Sequence, residues 1–243
     1  MRMLTFAKRC AREILRDPIN LCFGLGFPLV LLVLLSAIQA NIPVPLFEID
    51  NLTPGITVFG LSFLTLFSAT LVARDRESAF LQRLYTTPLR GLDFILGYLL
   101  PLLPIALAQA AFCYLAAVPL GLTVSIRILW AALGILPMAV FNIALGLLCG
   151  SLLNSRQVGG ICGALLTNLS AWLSGIWIDL ELVGGAFEKI AHALPFFHAV
   201  ELEKALFRGD FGLAAAHILP VLLYGILATA VAVGCFLGQM KKQ

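Results

Sequence analysis

The stretch Arg74-Asp75-Arg76-Glu77-Ser78-Ala79-Phe80-Leu81-Gln82-Arg83-Leu84-Tyr85-Thr86-Thr87-Pro88-Leu89-Arg90-Gly91-Leu92-Asp93 carries four Arg, two Asp and one Glu between two long apolar runs. Around it, 60% of the 243 residues are hydrophobic, 12% are charged, and the mean hydropathy is +1.00. A charged share about half that of soluble domains, with apolar runs of roughly 20 residues, places the chain in the membrane class. Residues 74–93 therefore read as an exposed element hung from a bilayer, and the fold as an all-α membrane protein.

Upstream, residues 2–17 form a two-sided wheel, with Met3, Leu4, Phe6, Ala7, Cys10, Ala11, Ile14 and Leu15 on one half and Arg2, Lys8, Arg9, Arg12 and Arg16 on the other. Such a helix is expected to lie in the membrane interface, its apolar half in the acyl boundary and its cations among anionic headgroups. Asp17-Pro18 closes it, because the residue before proline avoids helical geometry and proline starts helices well. Seventeen mixed residues before the first apolar run also lack the layout of a cleavable signal.

Six spans are expected, at about 19–39, 54–73, 94–122, 128–153, 158–178 and 213–238. Together they make 1–243 a single transmembrane domain. Pro101, Pro104 and Pro119 predict a kinked or oblique third span. Residues 179–212 mix acids, bases and apolar pairs, too polar to span and too apolar for a plain linker.

With the N-terminus inside, the inner segments hold twelve of the Lys and Arg and the outer segments four: Arg127, Lys189, Lys204 and Arg208. That bias predicts both termini and residues 74–93 on the cytoplasmic side of the cell inner (plasma) membrane. The net charge of +3 is too small to imply a nucleic-acid partner.

No Asp, Glu, Lys or Arg falls within the six apolar runs, and His217 is the one histidine among them. Ion-coupled carriers and proton relays generally need such groups inside the membrane, so the driving energy is expected to come from outside it. The chain lacks GxxxxGK[ST], HExxH and GxSxG, and its six cysteines make no CxxC pair. His192, His198 and His217 lack metal-ligand spacing with carboxylates. No catalytic site, metal or cofactor of its own is expected.

Within the charged stretch, Asp75 can cap a helix over 76–87, Glu77 suits its positive end and Pro88 stops it. Phe80, Leu81 and Leu84 then form an apolar ridge flanked by Arg76 and Arg83, a shape that fits a groove on a soluble partner. Arg76-Glu77, Leu81, Arg83-Leu84 and Thr87-Pro88-Leu89 resemble the cytoplasmic loop of the ATP-binding-cassette (ABC) type-2 permeases. Arg16-Asp17-Pro18 with Pro28 resembles that family's entry into its first span. Leu173-Ser174-Gly175, Ala193-Leu194-Pro195, Ala199-Val200-Glu201 and Gly209 resemble its outer hairpin. Ala79-Phe80, Gln82 and Asp179 depart from its pattern.

The resemblance implies a transmembrane permease subunit, a type-2 exporter component with no catalysis of its own. Two copies would pair as a homodimer, each engaging a separate ABC ATPase subunit that carries the ATP and Mg. The coupling residues would be Arg74, Asp75, Arg76, Glu77, Phe80, Leu81, Arg83, Leu84, Thr87 and Pro88. By the same analogy Asn168, Ser170, Trp172 and Ser174 would line the substrate pathway, and the Gly-rich run with Gly159, Gly160, Gly163 and Gly175 would suit a dimer seam or packing within one chain. An uncharged, aromatic-bearing path suits efflux of an amphipathic, drug-like or lipid-like cargo. The alternative is a non-transporting scaffold or assembly factor that recruits a soluble partner through 74–93.

Overall fold

The computed structural model describes residues 2–43, 47–78, 80, 91–178 and 180–240, and no strand occurs among them. Five helical stretches are long and apolar enough to cross a membrane: Pro18–Gln39, Ile49–Glu77, Gly91–Leu120, Arg127–Leu152 and Phe211–Gly238. The chain is an all-α, multi-pass membrane protein.

The first helix, α1 (Arg2–Leu15), ends where expected, and Asp17 caps α2 (Pro18–Gln39) by accepting from the Asn20 backbone N–H. The second span is two helices, α3 (Ile49–Gly60) and α4 (Ser62–Glu77), joined at Leu61. The third, α5 (Gly91–Ala117), runs through Pro101 and Pro104 as one helix, and Pro119 instead starts the 3-10 turn that ends it. The fourth combines α6 (Arg127–Gly134) and α7 (Leu136–Leu152), with Pro137 opening α7.

The expected span at 158–178 differs most. Its helical part runs from α8 (Ser155–Val158) through a π-helix (Gly159–Leu166) into α9 (Thr167–Leu173), and Gly175 then takes a left-handed φ of 72°. The hairpin region is α10 (Leu180–Val183), α11 (Gly185–Ala193) and α12 (Pro195–Arg208), before the last span α13 (Phe211–Met240).

The second span is the hub. Of its most apolar window 89% is buried inside the protein, against 22% for the first span and 17% for the last. Its approach to α7 depends on missing side chains. A Cβ at Gly146 would fall 1.9 Å from Ser68 Oγ and 2.3 Å from the Thr65 carbonyl, and one at Gly150 2.4 Å from the Ala69 carbonyl. The Thr65 hydroxyl donates to Asn142 and the Ser68 hydroxyl lies within hydrogen-bond distance of the Leu64 and Ile143 carbonyls. Small residues and hydroxyls of this kind are how helices associate where burial alone gives no drive.

Candidate functional site

The end of α4 shows how four charges in a row are used. Successive helical residues point ~100° apart, so Arg74, Asp75, Arg76 and Glu77 face around the whole helix. Arg74 pairs with Asp17 at the start of α2, 3.1 Å away. Asp75 points to α1 and α5. Arg76 donates to the Ser151 and Leu153 carbonyls at the end of α7. Glu77 accepts from the Ser155 backbone N–H at 2.8 Å and the Ser155 hydroxyl at 2.7 Å, at the start of α8.

These bonds answer helix-end needs. The last carbonyls of α7 and the first N–H groups of α8 have no partners within their own helices. A cation suits the former and an anion the latter. Asn154 and Gln157 complete the turn as a capping box. Expected to sit at the start of a new helix, Glu77 instead serves the N-terminus of another one.

Asp75 corrects the sequence reading too. It does not cap a helix over 76–87, because α4 continues through it to Glu77. Its side chain is buried, with the Arg9 guanidinium fork at 2.5 and 2.6 Å and the Tyr98 hydroxyl donating at 2.7 Å. A carboxylate taken out of water needs this many donors to offset its lost hydration. Glu13 lies 2.8 Å from the same guanidinium, and the Arg9 cation stands 4.2 Å over the Phe80 ring.

Arg9 therefore does not join the headgroup-facing cations expected of α1, whereas Lys8, Arg12 and Arg16 stay exposed. The apolar face of α1 also divides. Phe6, Ala7, Cys10 and Ile14 are buried against protein, and Leu4 and Leu15 remain exposed. Phe6 meets Tyr98 edge-on at 4.9 Å, above Gly97, where a Cβ would lie 2.2 Å from the Phe6 ring. Burial raises the Cys10 thiol pKa to about 12, against the opposing charge of Arg9.

Of the predicted coupling residues, Arg74, Asp75, Arg76 and Glu77 thus converge on one hub, and Phe80 stacks near Phe6 at 6.5 Å. Leu81, Arg83, Leu84, Thr87 and Pro88 lie outside the described residues. Gly91, Leu92 and Asp93, at the far end of the quoted stretch, form the first turn of α5.

The four predicted pathway residues do not share a face. Asn168 and Trp172, four apart, are exposed. Ser170 and Ser174, also four apart, are buried and donate within their own segment, to the Thr167 and Ala171 carbonyls. A Cβ at Gly159 or Gly160 would meet nothing within 4 Å, so these glycines pack on nothing in this chain.

At the opposite end of the bundle a cavity of about 490 Å³ opens among Asn51, Trp177, Glu181, His192, Lys204 and Arg208. Beside it the histidines, far apart in sequence, come together: His198 Nδ1 is 2.9 Å from His217 Nδ1, and His198 Nε2 is 2.9 Å from the His192 carbonyl. No group of three or more metal-ligating side chains is assembled among the described residues.

Two features of the site escaped the sequence reading. Gly146 and Gly150, a G-x-x-x-G pair in an apolar run, carried a legible packing signal. The partnership of Arg9 with Asp75, 66 residues apart, left no local trace.

The hub ties α1 and the ends of four spans to one short segment. No curated protein matches the chain. The family model described as ABC-2 type transporter matches residues 1–207, most of the sequence and every element of the hub. The chain belongs to the ABC-2 type transporter family.

Proposed function

We propose that this permease is the membrane subunit of an exporter in which a separate ATPase pushes on residues 74–88 and the hub spreads the push through the bundle. One observation carries this reading: Arg74, Asp75, Arg76 and Glu77 reach partners on or at the ends of five helices, α1, α2, α5, α7 and α8. A load arriving at Glu77 would reach all of them through α4.

The rest of the reading follows the family and the charge bias. Both termini and the coupling segment face the cytoplasm across the plasma membrane, and ATP with its Mg belongs to the partner subunit. Two copies form a homodimer with α8, the π-helix and α9 at the seam. Open space at Gly159 and Gly160 supports that, as do exposed Leu165, Asn168 and Trp172 on the same segment. The pathway then runs along Asn168 and Trp172, with Ser170 and Ser174 steadying the helix from inside, and the 490 Å³ cavity is its exit vestibule. An amphipathic, drug-like or lipid-like molecule suits this mixture of aromatic and uncharged polar groups.

The test is ATP-dependent uptake of amphipathic fluorescent probes into inside-out vesicles carrying the permease with its ATPase. Uptake that needs both subunits and falls on Trp172→Ala supports the export reading. Robust ATPase binding without uptake of any probe would favour the scaffold alternative.

A further inference from the structure

Outside the hub, one acidic side chain sits where an acid is costly. Glu203, on α12, is 1% exposed and lies among packed helices rather than at the rim of the bundle. Its Oε1 accepts from the Tyr114 hydroxyl of α5 at 2.9 Å, and Tyr114 is itself buried and stacked with Phe207 at 6.0 Å. The other carboxyl oxygen lies over Gly134, where a Cβ would stand 3.5 Å from it and 2.1 Å from Leu206. The missing side chain on α6 is what lets α12 seat so closely.

Among the described residues, no cation forms an ion pair with this acid. On its own helix, Lys204 pairs with Glu201 at 2.8 Å, Arg208 donates to Asn51, and His198 faces His217 of α13. Arg127 of α6 donates to the Arg208 carbonyl, Asp210 caps α13 through the Leu213 N–H, and Glu48 and Asp50 beside α3 are exposed. On α11, His192 offers its carbonyl to His198, Lys189 is exposed and Glu188 is half-buried. On α5, the thiol of Cys113 lies 3.5 Å from Gln109. Burial raises the Glu203 pKa to about 8, with the Tyr114 hydrogen bond pulling the other way.

We propose that Glu203 and Tyr114 form a proton-binding latch: with the carboxyl protonated, α12 stays seated on α5 and α6, and loss of the proton releases it. The sign follows from the raised pKa. A carboxyl that ionises more readily when released holds α12 fully below its ordinary range and loses its hold as pH rises through about 8. The ligand of this site is the proton. Its effect is on the hairpin end of the bundle, far from the coupling segment, and it holds whether or not the chain exports.

The experiment uses the full chain in nanodiscs, with hydrogen exchange across 195–208 and infrared spectroscopy of the protonated-carboxyl stretch, from about pH 5 to about pH 9.5. After correction for the intrinsic pH dependence of amide exchange, wild type should exchange at least about tenfold faster at the alkaline end. The carboxyl stretch should vanish over the same range. Glu203→Gln, permanently neutral, should show flat exchange and lack the stretch. Tyr114→Phe keeps the ring but removes the donor to the carboxylate, so its midpoint should move to higher pH. The proposal is overturned if the wild-type stretch is absent at acid pH, if wild-type exchange is flat, if Glu203→Gln keeps the rise, or if Tyr114→Phe leaves the midpoint in place.

Discussion

Replacing Asp75 with Asn tests whether α1 is bolted to the hub or merely rests on the bundle. Asn keeps the shape and an acceptor for Tyr98, but it removes the charge that holds the Arg9 fork at 2.5 and 2.6 Å. Two charge-assisted hydrogen bonds would cost about 1.5–3 kcal/mol each if nothing replaced them. Arg9 is 36% exposed and retains Glu13, so water and that carboxylate recover a good part of the loss. The expected net cost of seating α1 is about 2 kcal/mol, or roughly 30-fold in the undocked population.

Cys10 reports that population directly. It is fully buried, with its pKa raised to about 12, so maleimide reaches it only through an undocked state in which the thiol is ordinary and exposed. Labelling of wild type and Asp75→Asn in nanodiscs, resolved by site with mass spectrometry, should show Cys10 modified about 30-fold faster in the variant when redocking outruns alkylation. In both proteins the rate should rise with pH and level off above about 8.5, where the released thiol is ionised. Rates within about threefold of each other, under 1 kcal/mol, would refute the reasoning.

Gly97→Val should undock the same helix by crowding Phe6, costing about 1–3 kcal/mol and accelerating Cys10 labelling with no charge altered. Gly146→Ala should lower the thermal midpoint of the solubilised protein, because its Cβ would meet Ser68 Oγ and the Thr65 backbone; a cost of about 1–3 kcal/mol is expected. Gly160→Leu, at a position where a Cβ meets nothing within 4 Å, should leave that midpoint unchanged and weaken the dimer in light scattering or cross-linking. Glu77→Gln should loosen the first turn of α8 by about 1 kcal/mol, seen as faster hydrogen exchange at Ser155.

The spans were legible because apolar runs of bilayer length admit few alternatives: 19–39 became Pro18–Gln39 and 213–238 became Phe211–Met240. Local composition misled where tertiary partners decide. Arg-Asp-Arg-Glu reads as the cap and first turn of a new helix, yet α4 continues through it because Arg9, Ser151 and Ser155, each more than 60 residues away, take up its side chains. Periodicity could have flagged Glu203, since Phe196, Ala199, Val200 and Phe207 form a buried stripe at helical spacing that includes its position. The mixed composition of 179–212 hid that stripe. The alternating exposure of Asn168, Ser170, Trp172 and Ser174 follows from the same spacing, because residues two apart fall on opposite sides of a helix.

The account's central claim, that an ATPase drives the bundle through residues 74–88, is tested most directly by ATP turnover of the assembled complex in nanodiscs. Leu84→Asp should abolish co-purification of the ATPase. Arg76→Gln, which frees the Ser151 and Leu153 carbonyls, should keep the ATPase bound while turnover falls to that of the isolated subunit. Turnover at the wild-type level in both variants would contradict the claim.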